Sequence, residues 1–316
     1  MDASDLKSLA DRSRLMREAG IGLVIGSFVL AIFLFIPLRP EAQVASPAAA
    51  LASTTAPDAF ANVQFQGKAA IVYDLSDNQV LFEKNADAQL PLASLTKLLT
   101  IYTGLVTLGP DAVITIPEDA TQVDAPHAFS QGDQFTLSNL ARITLTGSLN
   151  DGATAIADAI AAQKSTDIPT ALDTEASALG LSATYSVNGS GLDVNTTLSG
   201  GYGSAHDIAI LAGDVAKLAP DVALATTQDS ATASDLAGQS YTAKNTNPGV
   251  SRAPRLLLSK TGFTDLAGGN LALVFDAGID HPIAIVVLGS TEDARFTDGD
   301  ALVAATLAYF AGQPSL

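Results

Sequence analysis

Cysteine and tryptophan are both absent from the 316 residues. Without cysteine there is no disulfide framework, no thiolate nucleophile and no cysteine metal site, and redox compartment cannot be read from the composition. Aromatic residues make up 6% of the chain, which argues against an aromatic-lined sugar groove, although six Tyr and twelve Phe remain. Basic residues are scarce too. Sixteen Lys plus Arg stand against 33 Asp plus Glu, a formal charge of −17. So acidic a surface repels phosphate backbones and argues against nucleic acid as a partner. The three histidines, His127, His206 and His281, are widely spaced and show no paired ligand pattern, so structural or solvated roles are expected for them and no metal site.

What is present begins with an apolar run. Residues 20–38 carry no charged side chain and, as a helix, would span roughly 28 Å, close to a hydrocarbon core. Lys7, Arg12, Arg14 and Arg17 precede the run, and Arg39 is the one basic residue between it and residue 60. The positive-inside rule makes residues 1–19 a cytoplasmic tail, 20–38 a transmembrane anchor and the rest extracytoplasmic. The other reading is a cleaved signal peptide, with small residues at 42–45 in reach of a cleavage site. The run is longer than a usual signal core, which favours the anchor, and both readings export the remainder of the chain. Residues 39–62 are rich in Ala, Ser, Thr and Pro and read as a linker; residues 63–316 read as one domain.

Within that domain, residues 68–74 and 79–83 are expected as paired strands around a turn at Leu75-Ser76-Asp77-Asn78. Helices are expected from Ser94 to about Thr107, from Leu137 through a break near Gly147 to Ala162, and over 170–179, 204–218 and 298–310. Strands are expected at 256–260, 271–275 and 283–288. Strands at both ends with helices between them point to a mixed α/β (α+β) domain, the terminal strands sharing one mostly antiparallel sheet.

Three short motifs stand in order. Ser94-Leu95-Thr96-Lys97 is an S-x-x-K. On a helix, positions i and i+3 share a face, so the amine reaches the hydroxyl and can take its proton. Alone, the motif also fits a helix-capping serine followed by a solvated lysine. Ser148-Leu149-Asn150 is an S-x-N, a second hydroxyl beside an amide that both donates and accepts; alone, it fits an N-cap. Lys260-Thr261-Gly262 ends an apolar strand, whose edge can bind an extended peptide through its backbone. There Lys260 offers a charge for a carboxylate, Thr261 a hydroxyl, and Gly262 no side chain to obstruct close approach; alone, it is a strand end and a turn. Together the three form the set of the penicillin-recognising serine enzymes, with S-x-N in place of S-D-N.

Longer stretches carry a family resemblance. VLFEKNADAQLPLASLTKLLT (80–100), ASALGLSATYSVNGSGLD (176–193), GYGSAHDIAILA (201–212), KTGFTDLAGG (260–269) and VVLGSTEDARFTD (286–298) resemble the low-molecular-mass D-alanyl-D-alanine carboxypeptidases, the S11 serine peptidases. The likeness runs from about residue 65 to 312. It implies a penicillin-binding/β-lactamase-like transpeptidase fold, a five-stranded antiparallel sheet with helices on both faces and a helical subdomain, with no metal or organic cofactor. It also implies Ser94 as nucleophile, Lys97 as general base and Ser148 as proton relay. Asn150 would orient the substrate amide and Lys97, Lys260 and Thr261 would hold the terminal carboxylate, and the backbone N–H groups of Ser94 and Phe263 would form the oxyanion hole. The implied partners are peptidoglycan stem peptides ending in D-Ala-D-Ala, covalent β-lactam inhibitors, and the membrane through the N-terminal helix.

The sequence departs from the family at Leu149, where a small residue is commoner and a larger one could narrow the cleft, and at Leu92 and Gly152. The smaller C-terminal β domain and C-terminal membrane helix of many relatives are not expected, anchoring having moved to the N-terminus. Asp151 either braces the S-x-N loop or serves a helix's first turn, His206 is read as part of a helix start, and Asn245-Thr246-Asn247 as structural. Other functions compatible with these residues are a D,D-endopeptidase, a class A-like β-lactamase and a non-catalytic penicillin-binding sensor or scaffold. The β-lactamase needs a glutamate to activate water, and Glu175 is the only one between Asn150 and Lys260.

Overall fold

The structure, a computed structural model, describes Met16, residues 59–278 and residues 280–312. The chain divides into two units at Thr54/Thr55, and every strand and helix named here belongs to the second. The run 20–38, expected to span a membrane, lies outside the described residues, among which no helix is long and apolar enough to cross one.

The chain enters with β1 (Ala69–Asp74), β2 (Gln79–Lys84) and the short β3 (Leu90–Pro91). A helical section succeeds them: α1 (Thr96–Leu108), β4 (Val113–Thr115), α2 (Glu118–Thr121), β5 (Gln134–Thr136), α3 (Leu137–Gly147), α4 (Asn150–Lys164) and α5 (Ile168–Ala178). Next come β6 (Tyr185–Ser186), β7 (Gly201–Gly203), α6 (Ala205–Leu218), α7 (Pro220–Ala225), β8 (Ser230–Ser234) and β9 (Ser240–Lys244). The chain closes with β10 (Leu256–Thr264), β11 (Gly268–Asp276), β12 (Pro282–Ser290) and α8 (Ala294–Gly312).

The main sheet has five strands in the order β10-β11-β12-β1-β2, and every neighbouring pair is antiparallel. The two ends of the domain therefore share one sheet, as the sequence leads one to expect. Side chains alternate across it. Ile71, Val274, Ala284 and Val286 face one core with Ile208, Leu211 and Val215 of α6, while Val72, Leu273, Ile285 and Val287 face another with Leu302 and Val303 of α8. Both faces being covered, β1 and β12 read as continuous apolar runs instead of alternating ones. Each buried Val, Leu or Ile contributes ~1.5–3 kcal/mol.

Helix starts follow their caps. Asp167 accepts from Thr170 N at 2.7 Å and Pro169 occupies the first turn, so α5 begins two residues before the expected Thr170. The helix expected from Ser94 opens instead as a 3-10 turn, Ala93–Leu95, with α1 following from Thr96. The break expected near Gly147 falls at Ser148, which is left-handed with φ 56°. Residues 59–62, read from sequence as linker, form a turn whose Phe60 is buried with its ring stacked 5.4 Å from Phe82.

Ile71 lies on β1, between β12 and β2, with no exposed surface. Ile71→Ala should lower the unfolding free energy by about 2–5 kcal/mol in a denaturant titration, with the chemistry of the folded fraction unchanged.

Candidate active site

Ser94 sits in the 3-10 turn ahead of α1, and Lys97 one turn on, wholly buried. The residue before the serine, Ala93, is left-handed with φ 49°, an uncommon conformation for a residue with a Cβ. Lys97 Nζ donates to Ser94 Oγ (2.9 Å), Asn150 Oδ1 (2.7 Å) and the Ser190 carbonyl (2.7 Å). Burial strips water from the ammonium and lowers its pKa to about 7, against the upward pull of the Asp151 carboxylate. In the neutral amine two N–H groups remain. If Asn150 and Ser190 keep them, the lone pair points at the Ser94 hydroxyl, the geometry in which an amine accepts a proton.

The S-x-N lies where α3 ends and α4 begins; Ser148 is the C-cap of α3 and Leu149, not the serine, is the N-cap of α4. The Asn150 side chain is locked at both ends, its Nδ2 donating to the Asp124 carbonyl at 2.9 Å while its Oδ1 faces Lys97. Its own N–H donates to the Pro126 carbonyl at 2.6 Å. Asp151 Oδ2 accepts from Ala128 N (2.6 Å) and Phe129 N (2.8 Å), so this carboxylate ties down the loop that carries those carbonyls. Leu149 is buried in the core among the helices, which accommodates its size.

The K-T-G lies on β10, an edge strand of the main sheet. Lys260 is buried, and its Nζ donates to Ser148 Oγ (2.9 Å) and to the Thr261 carbonyl (2.7 Å). Burial, then repulsion from Lys97 and Arg295, holds its ammonium well below the ordinary lysine range. Gly262 closes the cleft. A Cβ there would stand 2.9 Å from the Leu92 carbonyl and 3.2 Å from Ser94 N, so only glycine lets the strand press against the serine turn. Phe263, next along the strand, is 44% exposed. The structure thus brings Ser94, Lys97 and Asn150 into one hydrogen-bonded group and Ser148, Lys260 and Thr261 into a second, with Gly262 beside the serine.

Sequence reasoning missed two contributors. The Ser190 carbonyl takes one lysine N–H, and a backbone oxygen leaves no trace in side-chain spacing. Arg295, in the first turn of α8, donates from Nη1 to the Gly262 carbonyl at 2.8 Å, and its segment stands out in the sequence only by its likeness to relatives. The histidines lie elsewhere. His206 meets Asp87 at 3.2 Å while Ser204 caps α6, and His281 meets Asp74 at 2.6 Å. Asp74, Asp77 and His281 lie within 4.8 Å of one another, but Asp74 already accepts from Ser76 N and Asp77 N, so the group braces two turns. A cavity of about 540 Å³ lined by Tyr73, Leu75, Ile210 and Asp214 contains no motif residue.

Fold and cleft together define a class. The structure superposes on penicillin-binding protein D2 of Listeria monocytogenes, described in a cefotaxime-bound form, with a TM-score of 0.65 and 26% identity over 78% of this chain and 98% of that one. The chain belongs to the D-alanyl-D-alanine carboxypeptidase family, whose pattern residues 52–292 match. Among its relatives is D-alanyl-D-alanine carboxypeptidase DacF of Bacillus subtilis, 26% identical over 77% of this chain and 64% of DacF, so the chain spans less than two thirds of that protein. Another is the D-alanyl-D-alanine endopeptidase of Escherichia coli, 28% identical over 84% of this chain and 82% of the relative.

Asp151 is the counter-charge that holds the Lys97 pKa up. Asp151→Asn, which keeps an acceptor for the loop, should therefore drop that pKa below about 7. NMR titration of the labelled Lys97 side chain checks this; an unmoved or raised value would contradict it.

Proposed function

We propose that the domain is a serine-type D-Ala-D-Ala carboxypeptidase that removes the terminal D-alanine of peptidoglycan stem peptides through an acyl-enzyme on Ser94. The observation that carries this reading is the buried Lys97 amine, with a pKa of about 7, held 2.9 Å from the Ser94 hydroxyl. Lys97 takes the hydroxyl proton as Ser94 Oγ attacks the penultimate carbonyl carbon. The N–H groups of Ser94 and Phe263 receive the oxyanion, each worth about 3 kcal/mol in the transition state. Ser148, hydrogen-bonded to Lys260, hands a proton to the departing D-alanine nitrogen. The peptide C–N bond breaks, and water then hydrolyses the ester. Lys260 and Thr261 position the substrate's terminal carboxylate, Gly262 admits the peptide to the β10 edge, and Asn150 orients both the substrate amide and Lys97.

Substrate peptides carrying D-Ala-D-Ala and covalent β-lactams are the partners this site suits. A D,D-endopeptidase using the same residues is a second reading, favoured by the likeness to the Escherichia coli endopeptidase. Release of free D-alanine from stem pentapeptides, against release of monomers from cross-linked dimers, separates the two. A class A-like β-lactamase is less favoured. Glu175, the only glutamate between Asn150 and Lys260, sits on α5 and pairs with Lys164 at 3.7 Å. We also infer that residues 20–38 anchor the domain outside the cytoplasm, from the basic flank that precedes them; retention in the membrane fraction after alkaline extraction tests this.

The decisive experiment is labelling with a fluorescent penicillin. The wild type should form a stable adduct that Ser94→Ala abolishes and Lys97→Ala reduces at least 100-fold with the fold intact. An adduct independent of Ser94 overturns the assignment, and absence of any adduct favours a non-catalytic scaffold. Because the base acts as the neutral amine, acylation should rise with pH through about 7 and level off near pH 8 and above. A rate that falls over that interval would rule out Lys97 as the base.

A further inference from the structure

Apart from the main sheet, the short strands form one of their own, in the order β3-β7-β6. Leu90 pairs with Gly203, Pro91 and Tyr185 both with Tyr202, and Ser186 with Gly201. Side chains alternate along a strand, so Pro91, Tyr202 and Tyr185 share one face. The opposite face is closed. A Cβ at Gly201 would overlap the Thr96 side chain, and one at Gly203 would stand 3.0 Å from Leu92, so this sheet lies directly on the residues that flank Ser94. The tyrosine face is open. Tyr185 and Tyr202 stack with ring centroids 5.1 Å and planes 17° apart, and the Tyr202 hydroxyl accepts from Ser199 N at 2.9 Å, which fixes the inner ring. β6 is an edge strand, and Tyr185 upon it is 36% exposed.

An open aromatic ring backed by a fixed one suits the apolar C–H face of a pyranose, whose hydroxyls stay in water. Scarce aromatics argue against a sugar groove, but a flat platform needs only two rings. We propose that Tyr185, backed by Tyr202, stacks on a sugar of the glycan strand that carries the stem peptide. This rests on the carboxypeptidase reading and deepens it: the preferred substrate is a glycopeptide, not a free peptide. Reach supports the choice of occupant. Pro91 precedes Ser94 by three residues, at most about 11 Å, and Tyr185 lies two strand spacings from Pro91, about 10 Å. The ring is therefore within about 21 Å of the nucleophile. Four residues of a stem pentapeptide separate its sugar from the scissile bond, about 13–14 Å when extended. The peptide and the sugars it hangs from together cover that distance, whereas the peptide alone falls short of its upper bound.

The test compares kcat/KM for D-alanine release from a disaccharide-pentapeptide with that from the same pentapeptide without sugar. The wild type should prefer the sugar-bearing substrate about tenfold, the scale of one aromatic stacking contact. Tyr185→Leu, apolar but without a ring, should bring the ratio close to one, the change falling on KM for the sugar-bearing substrate. Tyr185→Phe should keep the ratio within about twofold of wild type. A wild-type ratio of one overturns the platform, as does a ratio unmoved in Tyr185→Leu or lost equally in Tyr185→Phe. An equal fall on both substrates in Tyr185→Leu would put peptide, not sugar, on the ring and overturns it too. Should thermal melting show Tyr185→Leu unfolded, Tyr185→Ala supplies the same comparison. If the wild type gives no Ser94-dependent penicillin adduct and no D-alanine from either substrate, the carboxypeptidase reading falls and the platform with it. If the wild type is active without preference for sugar, the platform alone falls.

Discussion

Desolvation of the Lys97 amine is the constraint on which the rest of the cleft depends. A lysine in water stays protonated at neutral pH and cannot act as a base. Here the amine is wholly buried, and its pKa comes down to about 7. Burial of so polar a group is tolerable only if its hydrogens are satisfied. That requirement recruits the Asn150 amide oxygen and the Ser190 carbonyl from separate parts of the chain. Each acceptor must in turn be fixed. The Asp124 and Pro126 carbonyls hold Asn150, and Asp151 holds the neighbouring backbone at Ala128 and Phe129. One buried nitrogen thus accounts for the join between α3 and α4 and the loop packed over it.

The second constraint is proximity of strand to helix. β10 is an edge strand, with one side paired to β11 and the other turned towards the Ser94 turn. Any side chain at 262 would strike the Leu92 carbonyl, and Arg295 secures the Gly262 carbonyl with a hydrogen bond of 2.8 Å. The strand is therefore held against the serine by an omission and a cation. Neither the left-handed Ala93 nor the left-handed Ser148 is favoured locally. Both occur where a motif side chain must be aimed, and packing around them selects the conformation over the backbone's own preference.

Much of this was legible in the sequence, for identifiable reasons. The main sheet announced itself because β1, β11 and β12 are buried on both faces and must be apolar throughout. The motif residues were legible because their chemistry requires particular side chains at fixed spacing. The hairpin of β8 and β9 was not: Ser230-Ala231-Thr232-Ala233-Ser234 alternates between exposed and buried, but its buried residues are alanines, too weakly apolar to mark a period. The two-residue strands β3 and β6 are too short for any pattern. The 3-10 opening at Ser94 escaped as well, since S-x-x-K is equally compatible with an α-helix that starts two residues earlier than α1 does. Most telling are Tyr185 and Tyr202. Two tyrosines so far apart in the chain share no chemistry until β6 and β7 pair them and stack their rings 5.1 Å apart.

The two lysines also explain why the cleft needs two hydroxyls. Lys97 and Lys260 are buried near enough for the charge on one to depress the pKa of the other. Two ammonium groups in that volume would repel without water to screen them. In the proposed reaction the site therefore holds at most one extra proton comfortably. A proton arriving on Lys97 from Ser94 raises the cost of keeping Lys260 charged, which favours passing a proton outwards through Ser148 to the leaving nitrogen. The repulsion that would destabilise a static ion pair here gives proton flow a direction, from nucleophile to leaving group. A relay hydroxyl bonded to the second lysine is the least structure that can exploit it.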